Sequence, residues 1–128
     1  MISSPVSQPP RSVLVVDDDP GVTQVLVDTL ATAGFAVRVA HDGDAAIRAV
    51  REARPALVLL DLWMPGIDGW GVAWALHSLG IGVPLVLVTA EHDAAAAAAE
   101  MGVVTVIQKP FDIDDLLATV HRVLEQAA

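Results

Sequence analysis

Five short runs of aliphatic residues, separated by longer mixed segments, constrain the fold of this chain more than any other feature. They lie at 13–17, 35–39, 56–60, 84–88 and 104–107, with Val13-Leu14-Val15-Val16, Leu57-Val58-Leu59-Leu60 and Leu85-Val86-Leu87-Val88 the clearest. Unbroken apolar runs this short read as strands buried on both faces. Helices are predicted between and after them, at 20–33, 43–53, 68–79, 93–101 and 112–126. Asp19-Pro20 supplies an N-cap with proline at the first helical position. Val22, Val25, Leu26, Leu30 and Ala33 then recur at helical spacing, and Gly34 ends the helix. Asp112 can cap the last helix, where Leu116, Leu117, Val120, Val123 and Leu124 form an apolar stripe. Five β/α units in strict alternation imply an α/β fold, a five-stranded parallel sheet doubly wound with helices on both faces. Right-handed crossovers are then nearly obligatory.

A chain of 128 residues fits one domain. Residues 1–12 read as a flexible N-terminal tail and 13–128 as the domain. A mean hydropathy of +0.56 raises the question of a membrane, yet no apolar run approaches the roughly 18 residues that a spanning helix needs. The tail lacks the apolar stretch of a secretory signal, so the expected setting is cytoplasmic, without a membrane partner. With no cysteine, thiolate catalysis, disulfides and Cys-ligated zinc all drop out. Sixteen acids against seven bases give a net charge of −9. A phosphate backbone would be repelled, so direct nucleic-acid binding is not expected.

Ligands of open parallel sheets bind at the carboxyl ends of the strands. There the sequence places Asp17-Asp18-Asp19 after the first strand, Asp61 after the third, Thr89 after the fourth and Lys109 just past the fifth. A lone Asp after a strand is usually a cap or turn residue. Asp17, Asp18 and Asp61 together with a hydroxyl and the only lysine of the chain on one edge are much harder to produce by chance. Crowded carboxylates repel unless a hard cation sits between them, and Mg²⁺ or Mn²⁺ suits such oxygen ligands. A carboxylate beside that ion can act as a nucleophile on phosphorus. Lys109 and the metal would offset charge on the phosphoryl oxygens, and Thr89 can donate a hydrogen bond to one of them.

On these residues the sequence resembles the response-regulator receiver family of two-component signalling, over about residues 12–126. The supporting strings are Val-Val-Asp-Asp-Asp-Pro at 15–20, Leu-Leu-Asp-Leu-Trp-Met-Pro-Gly-Ile-Asp-Gly at 59–69, Val-Thr-Ala at 88–90 and Lys-Pro-Phe at 109–111. The resemblance implies a flavodoxin-like receiver fold acting as a phosphoacceptor switch, with Asp61 taking a phosphoryl group from a sensor histidine kinase or phosphotransfer protein. It implies metal ligation by Asp17, Asp18, Asp61 and the backbone carbonyl of Trp63, with Thr89 and Lys109 on the phosphoryl oxygens. The Lys109–Pro110 bond would be cis. The chain would catalyse only its own phosphorylation and dephosphorylation, so it is no ordinary enzyme. Output would pass to a downstream protein through the face of helices 93–101 and 112–126 with strand 104–107, and a homodimer on phosphorylation is compatible with this. A stand-alone receiver and part of a longer chain remain equally open.

Two positions depart from the family pattern. Val106 stands where an aromatic residue commonly moves with the threonine, which predicts weaker or different transmission of the switch. Trp63, two residues after the acceptor, is large where small or polar residues are frequent, so its ring is expected over the mouth of the site. Trp63 and Glu91, two residues past Thr89, are the candidates for tuning water access. Asp68 reads as a cap, not a ligand. Trp70 is expected in the core and Trp74 partly exposed, and Ala94 to Ala99 read as a strong helix former. His41, His77, His92 and His121 are scattered without ligand spacing and read as surface residues. Two rivals remain. A haloacid-dehalogenase-type phosphatase would use Asp17 and Asp19 as Asp-x-Asp but leaves Asp61 unexplained, and a non-phosphorylated interaction module leaves the whole set unexplained.

Overall fold

Residues 10–90, 99, 103 and 105–127 are described by a computed structural model. They form β1 (Ser12–Val16), α1 (Pro20–Thr32), β2 (Ala36–Ala40), α2 (Gly43–Glu52), β3 (Leu57–Asp61), α3 (Gly69–Ser78), β4 (Leu85–Thr89), β5 (Thr105–Gln108) and α4 (Ile113–Ala127). Apart from Ala99, which is helical, the helix expected at 93–101 falls outside the described residues, as do Glu91, His92, Val104 and residues 1–9. The strand β1 opens at Ser12, within the segment read as tail.

All strand pairs are parallel, in the order β2-β1-β3-β4-β5. From β1 the chain passes outward to β2, then returns to β3 on the other side of β1. Successive crossovers of one hand therefore place α1 and α2 on opposite faces. Strict alternation along each strand serves both faces. Val13, Val15, Leu57 and Leu59 pack beneath α1 and α4 with Leu26, Leu30, Leu116 and Val120. Leu14, Val16, Val58 and Leu60 pack on the other side with Val50, Val72 and Leu76 of α2 and α3. Each such fully buried Leu or Val contributes about 1.5–3 kcal/mol relative to exposure.

Each of these four helices starts on an aspartate. Asp19 accepts from the N–H of Gly21 at 2.8 Å, Asp42 from Ala45 at 2.8 Å, Asp68 from Gly71 at 2.9 Å and Asp112 from Asp114 at 2.8 Å. These carboxylates satisfy N–H groups that the first helical turn leaves without partners. At the other end of α2 the cap comes from the sheet. Arg38 of the edge strand β2 donates to the carbonyls of Ala49, at 3.0 Å, and Ala53.

Candidate functional site

The strand register carries four chemically distinct groups to one edge. Val16 lies beside Leu60, so the next residue along, Asp17, comes alongside Asp61. Asp61 pairs with Val88, and Thr89 with Gln108, which brings Lys109 to the same end. The N–H of Lys109 donates to the carbonyl of Thr89 at 2.8 Å, and the Lys109–Pro110 bond is cis, as the resemblance implied. The edge lies where the crossovers diverge, because the chain leaves β1 toward α1 and leaves β3 toward the opposite face.

Asp17, Asp61 and Thr89 are buried, Asp61 being 8% exposed, whereas Asp18 is exposed. Lys109 Nζ stands 3.0 Å from Asp17 Oδ2 and 3.6 Å from Asp61 Oδ1. The other oxygen of Asp17 accepts from the N–H of Asp19 at 2.9 Å, and Thr23 Oγ1 donates to the carbonyl of Asp17 at 3.4 Å. The Asp61 carboxyl is held above the usual carboxylate range, chiefly by burial and then by the Asp17 charge. Lys109 and the backbone N–H of Trp63, which donates to Asp61, pull it back down, and Asp18 adds a smaller upward push.

Asp17, Asp18 and Asp61 each bring a carboxylate oxygen within 4.8 Å of the others. Three carboxylates against one ammonium leave an excess of two negative charges. A divalent cation with oxygen preference would neutralise that excess and relieve the repulsion recorded at Asp61. The residues therefore fit a hard divalent metal.

The remaining expected positions differ in role and exposure. The N-cap Asp68 serves α3. Trp63 is 58% exposed, Trp70 is half-buried against the core beneath α2 and α3, and Trp74 on α3 is 64% exposed. Val106, half-buried, sits in register with Leu87 of β4. Among the described histidines, His41, His77 and His121 are exposed.

The sequence reading missed Gly69. A Cβ there would lie 2.5 Å from the carbonyl oxygen of Asp61 and 2.9 Å from Leu62 Cα, so α3 begins directly against the backbone of these two residues. The Asp-Gly pair at 68–69 was the available signal, but it reads equally well as a turn. The buried hydroxyl of Thr23 had no signal in the sequence at all.

A doubly wound parallel sheet with an acid cluster, a hydroxyl and a lysine at its switch point defines the class: a small α/β domain whose polar site lies at the carboxyl end of its sheet. Comparison with known proteins resolves it further. Residues 13–121 match the response regulator receiver domain, and the chain belongs to that family. It is 41% identical over 118 residues to the DNA-binding response regulator MtrA of Mycolicibacterium smegmatis, covering 91% of this chain and 51% of that protein. It is 34% identical over 116 residues to the response regulator MprA of Mycobacterium ulcerans, covering 89% and 50%. The chain thus spans about half the length of the curated relatives it matches. Among solved structures it resembles the chemotaxis protein CheY4 of Vibrio cholerae, with TM-score 0.83 and 29% identity over 89% of this chain and 98% of that one. The receiver domain of the Francisella response regulator 1452 gives TM-score 0.87 at 25% identity, over 92% and 99%.

The relatives correct one expectation. The charge of −9 suggested partners without nucleic acid, but MtrA is by name a DNA-binding response regulator. A domain's net charge governs only its own approach to phosphate. It does not govern DNA contacts made by another part of a longer protein. Among the described residues no helix is long and apolar enough to cross a membrane.

Proposed function

We propose that this chain is the phosphoacceptor switch of a two-component system, with Asp61 taking a phosphoryl group from the phosphohistidine of a sensor kinase. One observation supports the reading above the rest: three acids and the only lysine of the chain share one crevice, Lys109 Nζ lying 3.0 Å from Asp17 and 3.6 Å from Asp61. In the transfer, an oxygen of Asp61 attacks phosphorus as the bond from phosphorus to the imidazole nitrogen breaks, and the electron pair leaves with the imidazole. Asp61 must be ionised to attack. Lys109 and the Trp63 N–H favour that form against the burial that opposes it. Once the acyl phosphate forms, Lys109 exchanges Asp61 for the new phosphoryl oxygens, and the Thr89 hydroxyl donates to another. Asp17, Asp18, Asp61 and the Trp63 carbonyl would hold Mg²⁺ or Mn²⁺, which supplies positive charge toward those oxygens when bound.

The chain turns over nothing but its own phosphoryl group. Trp63 and Glu91 tune its loss to water, and Val106 limits how much of the change reaches β5. A cytoplasmic setting, expected from the sequence, is part of the same proposal. In a protein of the relatives' length, we infer that the state of this domain controls DNA binding by the part this chain does not span. The phosphatase rival would need Asp19 as a free acid, yet its carboxylate is engaged as the cap of α1. The test is intact-mass spectrometry after incubation with Mg²⁺ and a small acyl phosphate. One added phosphoryl group is expected, absent in Asp61→Asn; labelling that persists in the variant, or steady turnover of the donor by it, overturns the reading.

A further inference from the structure

The loop 62–68 joins the acceptor to α3, and its shape is set by missing atoms on two neighbouring helices. A Cβ at Gly43, the first residue of α2, would stand 2.5 Å from the carbonyl oxygen of Ile67 and 2.7 Å from its Cβ. A Cβ at Gly71, in the first turn of α3, would stand 2.6 Å from Ile67 Cγ2. Neither glycine has a positive φ. Both are therefore required for space, not for backbone freedom, and Ile67 fills the two notches. The other end of the loop is equally fixed. The N–H of Gly69 donates to the carbonyl of Leu62 at 2.8 Å, and Leu62 and Met64 are buried in the core beneath α2 and α3. Between these anchors lies Trp63, whose N–H binds the Asp61 carboxylate.

We propose that Ile67 is a positioning residue for the phosphoacceptor site, a peg that locks the loop into the notches at Gly43 and Gly71 and so fixes the backbone of Trp63 beside Asp61. This inference rests on the phosphoacceptor reading above, because the Trp63 carbonyl is there a metal ligand. Interiors are packed too tightly to absorb a lost or added carbon without a shift. A loosened peg lets the loop carry that carbonyl away from the acids. In this role Ile67 itself touches neither metal nor phosphate.

The test is a set of variants measured by calorimetric Mg²⁺ titration and by the initial rate of phosphorylation with a small acyl phosphate. Ile67→Ala is expected to weaken Mg²⁺ binding by about tenfold, the scale typical for residues that orient metal ligands, and to slow phosphorylation in parallel. Ile67→Val keeps Cγ2 and should fall in between. Gly71→Ala should also weaken binding, because its new Cβ meets Cγ2. The double variant Ile67→Ala with Gly71→Ala removes that clash and should bind more tightly than additivity of the two single changes predicts. Val120→Ala, under α4 on the far side of the sheet, controls for general loss of stability and should leave Mg²⁺ affinity unchanged. Unchanged affinity in Ile67→Ala, strict additivity in the double variant, or an equal loss in Val120→Ala overturns the proposal. If the unaltered protein neither binds Mg²⁺ nor accepts a phosphoryl group, the functional reading itself fails, and the two failures are thereby distinct.

Discussion

Strands β3 and β5 both end in the site, yet they are built to different standards. All five residues of β3 are buried, between β1 on one side and β4 on the other. The edge strand β5 has only β4 beside it, and none of its four residues is fully buried. The same contrast holds for what each strand delivers: Asp61 is buried, whereas the Lys109 side chain keeps 21% of its surface exposed. Reacting groups need fixed positions, and a central strand supplies them through two ladders and two cores. In the proposed phosphoacceptor reading, the group that would change partners, Lys109, comes from the strand with one neighbour.

The sharpest way to break this contrast is to truncate one apolar residue in each of the two strands. Leu59→Ala in β3 should cost about 3–4 kcal/mol of unfolding free energy, since its buried side chain leaves a cavity that tight surroundings cannot close. Val106→Ala in β5 should cost less than about 1.5 kcal/mol, because that residue is only half-buried. Urea unfolding gives both values, and equal losses would abolish the distinction. A smaller effect is expected at the loop beyond β3. The exposed Trp63 ring offers approaching water no acceptor, whereas asparagine can orient it. Trp63→Asn should shorten the lifetime of phospho-Asp61 by up to about tenfold, equivalent to about 1.4 kcal/mol of barrier, with Mg²⁺ affinity nearly intact. Following decay of the isolated phosphoprotein checks this, and an unchanged or longer lifetime counts against it.

Placing Asp61 in the better-buried strand also has a consequence for stability. Because the pKa of Asp61 is raised in the fold, the unfolded chain gives up this proton first as pH rises. Between the ordinary carboxylate value and the raised one the folded state therefore binds more protons, so Asp61's contribution to stability falls with rising pH. Above that window the ionised carboxylate is a standing cost. Without divalent metal at neutral pH, Asp61→Asn should melt a few degrees higher than the unaltered protein. The difference should shrink below the window and shrink again on adding Mg²⁺, and thermal melts at several pH values would show it. The smallest effect is expected in β5 itself. Val106 lacks a large ring to move, so a phosphate mimic should shift the amide resonances of 105–108 less than those of residues 61–63. Equal shifts would show that the edge strand reads the site fully.

Much of this arrangement was legible in the sequence, because the apolar blocks are short and the polar residues follow them. Every predicted strand appears, displaced by about one residue. Pairing carries β2, β3, β4 and β5 past their apolar blocks, onto Ala40, Asp61, Thr89 and Gln108, while β1 stops at Val16. The acids, Thr89 and Lys109 were readable because strand ends converge in a parallel sheet. The approach of Gly69 to Asp61, the seat of Ile67 and the partners of Arg38 were not. Each depends on the distance between elements far apart in sequence, to which local periodicity is blind. The DNA-binding association of the relatives was likewise invisible, since charge was summed over one domain.

Arg38 has a further consequence at the outer rim. An unpaired edge strand invites another chain to pair with it, which is how sheets grow into aggregates. Arg38 of β2 carries a guanidinium inward, already committed to the carbonyls of Ala49 and Ala53. Any strand adding along β2 would have to bury that charge more deeply or pull it away from the end of α2. One side chain thus finishes a helix and guards the border of the sheet against unwanted growth.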